Sequence, residues 1–218
     1  MDPRPLHSVR PSRLLGTATA LAVWLAAAPA APAASDPAAG TGAITARLQD
    51  TYAIYSMLLP GQVFAAMDSS QRQRLAIAAT TVNDLDGNPT LAPDALLSPP
   101  ADHPNRFLEA LADYYRRRRQ RMLLTRHFQL TTPYVLLMPA EVEEFRASRS
   151  SPDAGSGLQE KYADLPGITY FSEVYFDSTE TAALVYMLDW CGNLCAQANW
   201  FYLEKENGQW ILRSGPAD

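Results

Sequence analysis

Apolar residues recur at helical spacing through ITARLQDTYAIYSMLL, where Ile44, Leu48, Tyr52 and Tyr55 share one side of a helix that Pro60-Gly61 ends. The run LAIAATTV, Leu75 to Val82, is apolar or small throughout, so period alone does not separate helix from strand, and its Thr-Thr-Val end leans to strand. The turn formers Asn83 to Pro89 close it. Pro93, Pro99, Pro100 and Pro104 then allow one helical turn at most. A second amphipathic helix is predicted from near Asn105 through FLEALADYYRRRRQRMLL, with Phe107, Leu111, Tyr114 or Tyr115, and Met122 on one face. His127 to Met138 reads as extended and interrupted by Pro133, and Pro139 opens a short helix, AEVEEFRAS. Arg149 to Gly157 is loop-like in composition.

The C-terminal part alternates between strand-like runs and turns. Ile168 to Phe176, Thr181 to Trp190, Asn199 to Lys205 and Gln209 to Arg213 are separated by Asp177-Ser178-Thr179-Glu180, by a cysteine segment and by Asn207-Gly208. Connections this short force antiparallel neighbours. The expected fold is α+β, with N-terminal helices packed on a C-terminal four-stranded antiparallel meander.

Ahead of the first helix, residues 1–33 carry Arg4, Arg10 and Arg13, an apolar run from Leu14 to Ala28, and small-residue sites ending at Ala30 and Ala33. This is the pattern of a cleaved secretory signal peptide, and the run is shorter than the roughly 20 residues that span a membrane. The expected organisation is signal peptide 1–33, flexible tether 34–42 and a single domain 43–218, located in the periplasm or secreted, with no stable membrane insertion after cleavage. The chain has 218 residues, 47% of them apolar and 19% charged, which disfavours a disordered, collagen-like or multipass protein. Its net charge of −5 becomes −7 once the leader's three Arg and one Asp are removed, a poor match to nucleic acid or anionic lipid. Of 18 basic residues only Lys161 and Lys205 are lysine, a bias typical of GC-rich bacterial genomes.

The run FSEVYFDSTETAALVYMLDWCGNLCAQANWFYLEKENGQWIL holds Ser172, Val174 and Phe176, then Ala183-Leu184-Val185-Tyr186, then Cys191-Gly192, Leu194 and Cys195, then Leu203, Lys205, Gly208 and Trp210. This pattern resembles a group of uncharacterised exported bacterial proteins, and IYSMLLP and DYYRRRRQRMLLTRHFQLTTPY are similar to the same group. The group continues its cysteine motif with Gly-x-Gly, whereas Ala196 to Asn199 stand here. The resemblance implies an exported domain and brings no activity with it.

Cys191 and Cys195 are the only cysteines, and in an oxidising compartment a disulfide is the leading reading. A redox-active pair and a metal site are the alternatives; the first departs from Cys-x-x-Cys spacing, and the second finds only His103 and His127 as further imidazoles in the mature chain. Of 21 aromatic residues, eleven lie between Tyr162 and Trp210. With period 2, Tyr170, Tyr186, Trp190, Trp200 and Tyr202 share one sheet face, and Phe171, Tyr175 and Phe201 the other. Either helices cover both faces or one presents rings to a ligand, for which Tyr186, Trp190, Trp200 and Tyr202 are the candidates. Arg116 to Arg119 surround a helix, so one is expected to pair with a carboxylate; Arg116, Arg117 and Arg119 are candidates for an anion-binding patch. Asp84, Asp86 and Gly87 fall in the wrong register for a calcium loop, and no metal or other cofactor is expected. No nucleophile motif is present and no catalytic residue is assigned. The expected role is noncatalytic binding of a small ligand, glycan or partner protein in the cell envelope. The alternatives are an envelope enzyme, either a hydrolase with dispersed carboxylates or a thiol-disulfide protein using Cys191 and Cys195, and a purely structural protein.

Overall fold

The computed structural model describes residues 45–59, 74–86, 92–150, 156–192 and 195–215. The leader and tether read from the sequence lie outside them. The elements follow in the order α1 (Ala46–Leu58), β1 (Leu75–Ala78), α2 (Pro93–Leu96), α3 (Pro104–Arg117), β2 (Tyr134–Leu137), α4 (Pro139–Ser150), α5 (Ser156–Lys161), β3 (Ile168–Phe171), β4 (Tyr175–Phe176), β5 (Ala182–Gly192), β6 (Cys195–Glu206) and β7 (Gln209–Ser214). Their ends follow local chemistry. The Thr45 hydroxyl accepts the Leu48 N–H and caps α1, while Pro104 and Pro139 open α3 and α4 at the position where a missing N–H costs nothing. Asn207 and Gly208 turn β6 into β7 with φ values of 50° and 82°, the signs that a type I′ hairpin turn requires.

The fold is α+β, but its sheet is larger than a four-stranded meander. Seven strands form one mixed sheet in the order β2-β1-β3-β5-β6-β7, with β4 also paired to β5. β3, β5, β6 and β7 pair antiparallel. β1 joins this group parallel to β3, and β2 parallel to β1. A parallel pair needs a long crossover, and α2 with α3, then α4 with α5, supply the two crossovers. LAIA is buried along its whole length, as expected of a strand covered on both sides, which is why it shows no alternation.

Helices cover both faces of the sheet. On one, Tyr52, Ile54, Tyr55 and Leu58 of α1 pack on Ile77, Phe171, Val185, Met187, Phe201 and Leu203. On the other, Phe107, Ala110 and Tyr114 of α3 pack on Leu184, Tyr186, Trp200 and Tyr202. Beside them Val142 and Phe145 of α4 cover Ala76, Ala78, Ile168 and Tyr170. Each fully buried large apolar side chain contributes roughly 1.5–3 kcal/mol, so these layers hold the sheet without help from the cysteines.

The helix predicted from Asn105 through Leu124 ends at Arg117. Beyond it the Met122 N–H donates to the Thr81 hydroxyl, the Thr81 N–H to the Met122 carbonyl and the Leu124 N–H to the Ala79 carbonyl, so the chain lies back on the end of β1 and Met122 is on no helix face. The run Ile168 to Phe176 is also not one strand. Phe171 pairs with Met187 but Tyr175 with Leu184, so four steps on one side match three on the other, which is a β-bulge. An extra residue reverses the alternation, and Tyr175, expected with Phe171, shares the face of Leu184 and Tyr186.

Candidate functional site

α3 and α4 cover the same face of the sheet without closing over it, and between them lies a cavity of about 530 Å³. The size falls within the range of small-molecule sites. Ala78, Thr80 and Val82 line it from the end of β1 and its continuation, Leu137 from the end of β2, and Leu188, Trp190 and Ala196 from the hairpin of β5 and β6. It thus lies at the C-terminal ends of the parallel strands, where open α/β sheets usually bind ligands.

Tyrosines and tryptophans make its floor. Tyr114, Tyr170, Tyr175, Tyr186, Trp190 and Trp200 all line it. The Trp200 ring lies 5.2 Å from Tyr114, 5.5 Å from Tyr186 and 6.2 Å from Tyr175, centroid to centroid. These rings pack on one another and form a continuous aromatic surface. Burial pushes the Tyr186 phenol up to about 12, and burial with the Asp84 charge does the same for Tyr114. Both therefore stay protonated at neutral pH.

The rim is polar. The Asn83 N–H donates to Asp86 at 2.7 Å and the Leu85 N–H to the Asn83 side chain at 2.9 Å, which makes the segment an Asx turn. That turn is tied to the end of α3, where the Asn83 amide donates to the Arg119 carbonyl at 2.7 Å and Arg118 pairs with Asp84 at 3.2 Å. Arg121 pairs with Asp86. Across the opening, Pro139, Val142, Glu143 and Arg146 bring one face of α4 to the cavity. The Arg146 guanidinium lies over the Trp190 ring, 5.4 Å from its centroid.

Tyr186, Trp190 and Trp200 therefore line the cavity; Trp190 is partly exposed and Trp200 buried. Tyr202 does not: it packs against Phe107 at 5.2 Å, and its hydroxyl donates to Glu204 at 2.7 Å. Arg116 and Arg117 both pair with the buried Asp113, and Arg117 also with Glu173, so these cations are already compensated. Arg119 is exposed and contributes its carbonyl to the Asx turn. The three arginines do not converge on one site.

Cys191 and Cys195 sit at disulfide distance where β5 meets β6, with Cα atoms 5.2 Å apart. The pair closes the hairpin next to Trp190 and Ala196, which face each other across the ladder and both line the cavity.

Sequence reasoning missed Tyr114, Tyr175, Glu143, Arg121 and Arg146 as cavity residues, and it placed Tyr170 on the right face without assigning it a role. The signal for α4 was present in the spacing of Pro139, Val142, Glu143 and Arg146, which puts all four on one side of a helix. Compared with known proteins, the chain matches no family model, no curated protein and no solved structure.

Proposed function

We propose that this protein is an exported, noncatalytic binding domain of the cell envelope that takes a small organic ligand with a largely apolar body into the cavity between α3 and α4. The observation that carries the reading is the cavity's composition: a continuous aromatic floor, aliphatic walls and a few polar groups at the rim. A small ligand suits the site better than a glycan chain, because one face of Trp190 is taken by Arg146 and Trp200 is buried beneath the cavity. Binding suits it better than hydrolysis. Of the carboxylates that line the cavity, Asp84 and Asp86 are engaged by Arg118 and Arg121, which leaves Glu143 without a second carboxylate to form an acid–base pair, and Asp189, the carboxyl that burial raises to about 6, lies on the opposite face of β5 from Leu188 and Trp190. Export is supported by the leader pattern and by the cysteine pair at disulfide distance.

Ala196 gives the test. It is exposed and lines the cavity, so Ala196→Trp fills the opening without straining the core. Small aromatic and alkyl compounds are expected to bind the wild type and to lose affinity for Ala196→Trp at unchanged melting temperature. Equal binding to both proteins would place the ligand elsewhere and overturn the reading.

A further inference from the structure

Tyr170 lines the cavity from β3 and is 9% exposed, and its hydroxyl proton finds no acceptor among the described residues, since the Arg146 guanidinium beside it can only donate. A buried hydroxyl without an acceptor costs on the order of 1–3 kcal/mol, so such a group calls for an explanation. Burial raises its pKa, which keeps the phenol protonated; Arg146 opposes the rise and Glu143 adds to it. Arg146 has no carboxylate within ion-pair distance among the described residues; its contacts are the Trp190 ring and the Tyr170 hydroxyl. The other cavity-lining cation, Arg121, is neutralised by Asp86. The cavity therefore has one end where, among the described residues, a phenolic O–H without an acceptor lies beside a guanidinium without a carboxylate.

We infer that this end of the cavity binds the carboxylate of an organic acid, whose apolar body lies along Leu188, Tyr186 and Trp200. The inference rests on the cavity reading above and names the class of ligand. A carboxylate is planar, singly charged and able to accept from a guanidinium and a hydroxyl together. A dianionic phosphate would need a second free cation, and Glu143 at the same rim disfavours a second negative charge. Pro139, at the start of α4, lines the cavity as well.

The test compares acids with their uncharged amides: octanoate with octanamide, and hydrocinnamate with hydrocinnamide. Each is titrated into fluorotryptophan-labelled protein while the Trp190 and Trp200 fluorine signals are followed. The acids are expected to bind more tightly than the amides. Arg146→Gln is expected to weaken the acids at least about tenfold and leave the amides unchanged, the loss of one charge-assisted hydrogen bond. Tyr170→Phe should weaken the acids about fivefold, and Glu143→Gln, which removes a repulsive charge, should strengthen them about twofold. Amides that bind as well as acids, with Arg146→Gln silent, would overturn the carboxylate site and leave the cavity reading standing. If no member of either series moves Trp190 or Trp200, both fail.

Discussion

The Ser172 hydroxyl accepts the backbone N–H of Tyr186 at 2.9 Å, a position that the Ser172 carbonyl would fill in a regular antiparallel ladder. The carbonyl has turned away and accepts the Tyr55 hydroxyl of α1 at 2.7 Å, while the Ser172 N–H keeps its ladder bond to the Tyr186 carbonyl at 2.9 Å. A serine side chain thus stands in for its own backbone and lets the strand bulge without leaving a buried N–H unpaired. The bulge brings Tyr170 and Tyr175, which are an odd number of residues apart, into one cavity.

Ser172→Ala strands the Tyr186 N–H in the core. The expected loss is about 1–3 kcal/mol of folding stability by urea denaturation. A loss below the error of the measurement would mean that the hydroxyl does not hold the bulge.

Asp113 is buried and accepts from Arg47 at 3.1 Å, Arg117 at 2.9 Å, Arg116 and the Phe176 N–H at 3.1 Å, so it joins α1, the end of α3 and β4. Asp113→Ala leaves the partly buried Arg117 with Glu173 as its remaining carboxylate partner and leaves the Phe176 N–H without its acceptor. The expected cost is about 3–5 kcal/mol, read from the midpoint of chemical unfolding. A cost near that of a surface substitution would show that the arginine cluster is held by solvent and Glu173 alone.

Burial lifts the Asp189 carboxyl to about 6, against the partial opposition of the Thr169 hydroxyl bond. A folded-state pKa above the unfolded one means that the native protein holds the proton more strongly. This group therefore costs nothing below about pH 4, and stability is lost as pH rises from about 4 to about 6, by roughly 3 kcal/mol once ionisation is complete. The stability difference between Asp189→Asn and the wild type should therefore grow in favour of the variant across that window and level off above it. A difference that does not vary with pH would contradict the assignment.

The cysteine pair closes a very short loop, for which the chain-entropy relation gives about 2 kcal/mol. Cys191→Ser with Cys195→Ser should lower stability by no more than that and leave the fold intact, because the packed layers lie elsewhere. The intact mass of wild-type protein should exceed its oxidised value by two hydrogens only after reduction. Two thiols that alkylate without reductant would show that the pair is not bonded.

Local patterns made much of the C-terminal half legible. The Asn207-Gly208 turn, the Pro-led start of α4 and the arginine that pairs with buried acids all carry short-range signals. The parallel part of the sheet was not legible as such. LAIA and YVLL are too short and too uniformly apolar to declare a strand order, and their pairing depends on crossovers far along the chain. α3 stops at Arg117 although helix-forming residues continue, because the backbone of Met122 and Leu124 finds partners on the end of β1. The face of Tyr175 was misread because a bulge at Ser172 leaves no trace in a period-2 count. The cavity combines β1, α3, α4 and the β5–β6 hairpin, and only Tyr186, Trp190 and Trp200 stood out in advance, by their place in an aromatic-rich stretch.

Fluorine NMR of fluorotryptophan-labelled protein during a titration with small organic acids tests the central claim most directly, because the molecule carries its own control. Trp190 and Trp200 line the cavity, whereas Trp210 packs with the α1 side of the sheet and donates to Asp50 at 3.0 Å. The account predicts saturable shifts of the Trp190 and Trp200 signals with Trp210 unmoved. Shifts confined to Trp210, or saturable binding that leaves Trp190 and Trp200 in place, would contradict it.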